Sequence, residues 1–156
     1  MRAVFLDFDG GLVNRNSLMK HSGRHSVADP PCVLALNRFL AATEAVIVVS
    51  SVWRMSGLDS VRYHLRKWGV EGRILGITPD LTRVPQDHTL WVNVERGTEI
   101  AEFLKNHPEI ERFVIVDDDS DMGELKHRLV QTKFEAGFTE SDADRAIALM
   151  EDDEKL

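Results

Sequence analysis

Apolar positions in this chain fall into short blocks whose period switches back and forth. Residues 3–8 form a compact apolar run, the length and composition of a buried strand. Residues 13–29 are polar and without period, which predicts a long loop of the kind often tied to function. Pro30-Pro31 opens a helix, and Val33, Leu34, Leu36, Phe39 and Leu40 recur at helical spacing up to about Glu44. Residues 45–49 are apolar and rich in β-branched side chains, a second buried strand, which ends at Ser50-Ser51. Leu58, Val61, Leu65 and Trp68 mark another helical stripe, closed by Gly69. Residues 73–77 read as a short third strand, and residues 78–94, with two prolines, as a second irregular segment. Residues 99–106 form a helix with Ile100, Phe103 and Leu104 on one face. Residues 113–116 form the next buried strand, which runs into Asp117-Asp118-Asp119. A last strand at 128–132 and a closing helix at 141–150 complete the pattern, with a charged tail after them.

Strand and helix alternate throughout, so the expected fold class is α/β. The expectation is a three-layer, Rossmann-like arrangement with a central parallel sheet and helices on both faces, because parallel strands need crossovers. The length of 156 residues predicts one domain over 1–156, with no linker or repeat dividing it. In such sheets ligands bind beyond the carboxyl ends of the strands. Here the first strand ends in Asp7-Phe8-Asp9, the second in Ser50-Ser51 and the fourth in Asp117-Asp118-Asp119. Acids and hydroxyls are therefore expected along one edge of one sheet.

Composition changes this picture in two ways. The formal net charge of −7 argues against broad affinity for a nucleic-acid backbone and suits a cationic metal. The single cysteine, Cys32, excludes an intrachain disulfide and a cysteine-based zinc site. No apolar run reaches transmembrane length, and acids interrupt the N-terminal run, so no membrane partner and a cytoplasmic location are expected.

Carboxylates gathered at buried strand ends raise one another's pKa and call for a cation. Oxygen ligands without sulfur favour Mg2+, which keeps waters and is completed by substrate phosphate. Phosphoryl transfer is the reaction class that follows, with a carboxylate able to act as nucleophile. Asp7 points into such a site from the strand end. Asp9 lies in the turn that Gly10-Gly11 allow and swings back toward the same substrate as acid and then base. Gly10 is expected to supply an unusual backbone angle and amides that hold phosphate oxygens. Ser50 is placed to hydrogen-bond a phosphate oxygen, with Ser51 beside it. Trp53 and Arg54 flank the pocket; Trp53 reads as a packed core residue, with base stacking as the alternative. His21, Arg24 and His25 read as part of a surface loop.

At these residues the chain resembles the haloacid dehalogenase (HAD) superfamily. The carriers are the apolar run into Asp7-Phe8-Asp9-Gly10, the strand ending in Ser50 and the strand ending in Asp117-Asp118, in that order. PCVLALNRFL, VVSSVWR, GITPDL, RGTEI, FVIVDDDSDM and HRLVQTKFEAGFT are similar to the HAD domain of Swiss army knife RNA repair proteins. The resemblance implies a HAD-like fold and a phosphomonoester hydrolase working through an aspartyl phosphate. Asp7 would be the nucleophile and Asp9 the general acid/base. Metal ligands would be the Asp7 side chain, the Asp9 carbonyl and the Asp118 side chain, with Asp117 in support and Asp121 acting through a metal-bound water. A basic residue is also implied, Arg96 first and Lys126 second, while Ser50, Ser51, Arg54 and Gly10 would bind substrate. One departure is Gly11, where the family usually has threonine or valine; its absence of a side chain is expected to loosen the turn or widen the pocket. About 40 residues separate Asp9 from Ser50, too few for a large lid beside a helix, so a minimal or absent cap is expected. An open site favours a nucleic-acid end over an enclosed metabolite, with a nucleotide or other small phosphomonoester as the other choice. The alternative to an enzyme is a non-catalytic binding or regulatory domain that keeps the fold.

Overall fold

The computed structural model describes residues 1–20, 27–82 and 93–153. Its centre is a five-stranded sheet in the order β3-β2-β1-β4-β5, formed by β1 (Arg2–Leu6), β2 (Val46–Val49), β3 (Ile74–Ile77), β4 (Arg112–Asp117) and β5 (Leu129–Gln131). Every pairing is parallel. The helices are α1 (Arg15–Lys20), α2 (Pro30–Thr43), α3 (Leu58–Lys67), α4 (Arg96–Lys105) and α5 (Glu140–Glu151).

Alternation along the strands builds the layers. Val4, Leu6, Ile47, Val49, Val114 and Val116 face a core shared with α2, α3 and α5, including Leu36, Phe39, Val61, Leu65 and Ala146. Ala3, Phe5, Val46, Val48 and Ile115 face the opposite core, where α4 contributes Ile100 and Phe103. Successive side chains of one strand thus serve different layers, and the three-layer expectation holds. The order in which strands are added reverses at β1, with β2 and β3 on one side of it and β4 and β5 on the other. That is the switch point at which a crevice opens beyond the strand ends.

Several expected boundaries shift. The first strand closes at Leu6, although the Asp7 N–H still donates to the Val116 carbonyl at 3.0 Å. The stretch expected to be a plain loop contains α1. Asn14 starts it by accepting from the Ser17 N–H at 2.9 Å while Ser17 Oγ accepts from the Asn14 N–H at 3.1 Å; a six-residue helix is too short to show a period. Helix α4 begins at Arg96, four residues before its apolar stripe. Short 3-10 turns at Val52–Ser56 and Gly123–Arg128 follow the strand-end serines and acids, and neither has an apolar period to betray it. His21, Arg24 and His25, and residues 83–92 of the expected irregular segment, lie outside the described residues. Among the described residues no cap domain stands over the strand ends, and no helix is long and apolar enough to cross a membrane.

Candidate active site

Sheet register alone brings the strand ends together. Leu6 pairs with Val49 on one side and Val116 on the other, so the next residues, Asp7, Ser50 and Asp117, form one row across three strands. The Ser50 N–H donates to the Leu6 carbonyl at 2.9 Å and the Thr132 N–H to the Asp117 carbonyl at 2.9 Å, which pins the row. Carboxylate oxygens of Asp7, Asp117 and Asp118 all lie within 4.8 Å of one another. The Asp9 carboxylate stands outside that group and accepts from Trp53 Nε1–H at 3.2 Å.

The turn after β1 is wound on the Phe8 carbonyl, which accepts from the N–H groups of Gly11, Leu12 and Val13. Gly10 sits at φ +85°, and a Cβ there would lie 2.4 Å from Asp118 Cγ. Its glycine therefore serves both the backbone angle and the approach of the second acidic strand end. Gly11 is explained by a different contact. A Cβ at this position would lie 2.2 Å from the Asp7 carbonyl oxygen, so the chain has no room for the side chain whose absence was expected to loosen the turn. The turn is tight because it is glycine. Phe138 N–H donates to the Gly11 carbonyl, and Thr132 Oγ1 to that of Gly10, which fastens it from behind.

Burial dominates the electrostatics. Asp7 is 8% exposed and Asp117 2%. Desolvation pushes Asp7 from an ordinary 3.8 up to about 7, against the pull of the Arg96 guanidinium and a hydrogen bond from Ser51, with Asp9 and Asp118 pushing further. Desolvation, then the Asp7 charge, raises Asp117 likewise, opposed by the Asp119 N–H and by Arg96. Asp9, half-buried, is also raised by desolvation, partly offset by the Trp53 hydrogen bond. Two buried carboxylates that resist ionisation beside a third fit a hard divalent cation: the donors are all oxygen, close-set, and short of positive charge. Asp7, Asp117 and Asp118 are the side chains that would hold it.

Arg96 is the basic residue that reaches these acids. Its Nε lies 4.0 Å from Asp117 Oδ2, and Nη1 has no hydrogen-bond partner among the described residues. Lys126, the second basic candidate, is exposed on the 3-10 turn Gly123–Arg128. Asp121 is engaged in fold: its Oδ2 accepts from the Arg96 N–H at 3.0 Å and its carbonyl from the Gly97 N–H at 3.0 Å. This docks the start of α4 onto the acidic loop, and Gly97 permits the approach, since a Cβ there would lie 2.2 Å from the Met122 carbonyl oxygen.

The serines divide their work. Ser50 Oγ is buried and has no hydrogen-bond partner among the described residues, an orphan hydroxyl beside Asp7 in the row. Ser51 hydrogen-bonds Asp7 and accepts from the Trp53 N–H at 3.3 Å, capping the 3-10 turn Val52–Ser56. Arg54 is buried in the wall, its Nη2 donating to both Glu99 oxygens at 3.0 and 2.9 Å and its Nη1 to the Ser51 carbonyl at 2.8 Å. Glu99 also accepts from the Leu81 N–H at 2.9 Å. Sequence reading left Glu99 unassigned because it sits one residue before the apolar stripe of α4, where a solvent-facing glutamate is the ordinary expectation.

A parallel α/β sheet whose switch point carries Asp-x-Asp on one strand, serine on the next and paired aspartates on a third defines a protein of the HAD type. More narrowly, residues 3–143 match the family described as the HAD domain in Swiss Army Knife RNA repair proteins, and the chain belongs to that family. No curated protein and no solved structure matches it.

Proposed function

We propose that the protein is a Mg2+-dependent phosphomonoester hydrolase acting through an aspartyl phosphate on Asp7. The observation that carries this reading is the single row of Asp7, Ser50 and Asp117, with Asp118 completing an oxygen cluster within 4.8 Å. Magnesium, when bound, would offset the charge of these carboxylates and of the substrate phosphate. An Asp7 oxygen attacks phosphorus and the bond to the leaving oxygen breaks, while Asp9 gives that oxygen a proton. Water then attacks the phosphorus of the aspartyl phosphate, Asp9 takes its proton, and the bond to Asp7 breaks to release inorganic phosphate. Ser50 Oγ, lacking a partner among the described residues, is available to a phosphate oxygen, and Arg96 lowers the cost of keeping Asp7 ionised.

For substrate we favour a phosphorylated nucleic-acid end, with a nucleotide as the smaller relative. The absence of a cap domain among the described residues, and the RNA-repair setting in the family's description, support that choice. A cytoplasmic setting accords with the lone buried thiol of Cys32. The test is phosphate release from 4-nitrophenyl phosphate and from 3′- and 5′-phosphorylated oligonucleotides, with Mg2+ or with chelator. Wild type should turn over in Mg2+, and Asp7→Asn should lose on the order of a thousandfold or more. A wild type inert on every substrate, or a fully active Asp7→Asn, would show a non-catalytic domain on this fold.

A further inference from the structure

An acid/base carboxylate is useful only if one of its oxygens faces the leaving group, and a turn residue has several rotamers to choose from. In this chain one contact makes the choice. Trp53 Nε1–H donates to Asp9 Oδ2 at 3.2 Å, and no other hydrogen bond holds that side chain among the described residues. The indole nitrogen is a donor only, so the contact fixes which oxygen is occupied.

The indole is itself fixed. Phe8, Trp68 and His64 meet the Trp53 ring edge to face, with centroids 5.6, 5.5 and 5.0 Å away. Phe8, between the two aspartates in sequence, is fully buried and also meets Trp68 at 5.2 Å. The Trp53 backbone N–H donates to Ser51 Oγ, and Ser51 hydrogen-bonds Asp7. Trp53 therefore links the two aspartates, by its main chain through Ser51 and by its ring directly. An aromatic cluster of this kind serves core packing without any need for its polar atom to reach the site. Here the single polar atom of the indole is aimed at the Asp9 carboxylate.

We propose that Trp53 is a positioning residue for proton transfer, holding Asp9 by Oδ2 so that Oδ1 is the oxygen that exchanges the proton with the leaving group. This rests on the phosphatase reading above. An alkoxide leaves poorly without a proton, whereas 4-nitrophenolate leaves with little help, so an acid held in the wrong rotamer is felt mainly on alkyl esters. Trp53→Phe keeps the ring packing and removes the donor.

The experiment compares wild type and Trp53→Phe on benzyl phosphate and on 4-nitrophenyl phosphate in saturating Mg2+. The expected result is a fall in kcat/KM, which reports phosphoryl transfer to Asp7 and not the later hydrolysis, that on benzyl phosphate exceeds the fall on 4-nitrophenyl phosphate by at least about tenfold. Equal losses on both esters would make Trp53 a packing residue and overturn the proposal. A wild type that hydrolyses neither ester would instead overturn the phosphatase reading, and this proposal with it. A measurement independent of turnover guards against a poorly folded variant. The Trp53 indole N–H resonance of the metal-free protein should move, and its hydrogen exchange quicken, in Asp9→Ala; a resonance that stays in place refutes the contact.

Discussion

The buried carboxylates should make the metal-free protein less stable as pH rises, and removing one should reverse this. Consider Asp7→Asn, which keeps the shape and discards the charge. Asp7 is held up at about 7 in the folded protein against an ordinary 3.8. A carboxyl whose folded pKa is raised contributes stability that is complete below the unfolded value and lost as pH climbs through the folded one. The window is therefore about pH 4 to 7 for Asp7, and it extends above 7 because Asp117 is raised in the same direction. At about 1.36 kcal/mol per unit, a rise of roughly three units corresponds to about 4 kcal/mol if Asp7 is counted alone. That value already contains the attraction of Arg96, so the asparagine is expected to gain up to about 4 kcal/mol at pH 8. For a chain of this size that is up to roughly 8–16 °C in Tm. Thermal unfolding in chelator at pH 4 and pH 8 reads it directly: the curves of wild type and variant should nearly coincide at pH 4 and separate at pH 8, with the variant higher. Mg2+ should then raise the wild-type Tm at pH 8 and move the variant little. A variant less stable than wild type at pH 8 in chelator would refute the claim that desolvation governs this cluster.

Two further substitutions probe the walls of the site. Glu99→Ala removes the carboxylate that meets Arg54 in a pair whose side chains are only 6% and 5% exposed; stranding that guanidinium should cost about 3–5 kcal/mol in urea unfolding, and a loss under 1 kcal/mol would deny the pair its structural role. Gly11→Ala forces a methyl toward the Asp7 carbonyl, where a Cβ would lie 2.2 Å from the oxygen; it should destabilise by about 1–3 kcal/mol and lower kcat by displacing Asp7, and an alanine variant with wild-type stability and turnover would contradict the tight-turn account.

The features readable in the sequence were those that depend on short-range pattern. Three apolar runs ending in Asp7, Ser50 and Asp117 predict both the sheet and the edge on which the polar residues gather, because parallel register does the rest. Gly10 was legible too, since a turn directly after a strand needs an unusual angle. Tertiary pairs were not legible. Arg54 and Glu99 meet across 45 residues, and Trp53 and Asp9 across 44; no local period records either. Gly11 illustrates the same limit from the other side. Its meaning lies in one carbonyl oxygen, on a backbone path that residue types do not specify. Helix α1 stayed hidden because its start depends on a reciprocal pair of bonds between Asn14 and Ser17, with no stripe behind it.

Charge counting explains why these tertiary pairs matter to the site. Arg54 and Arg96 both stand near the strand ends, yet Arg54 is answered by Glu99 through two short bonds, which removes its charge from the account. Arg96, 3.9 Å from Glu99 and 4.0 Å from Asp117, is the cation left facing the acids among the described residues. Asp7, Asp117 and Asp118, fully ionised, carry three negative charges against that one positive charge. Two remain, the charge of one divalent ion. The start of α4 adds its partial positive end, docked on the acidic loop through Asp121, which lessens the imbalance without cancelling it. The buried Arg54–Glu99 pair leaves that imbalance untouched, because its own two charges offset one another within the wall of the site.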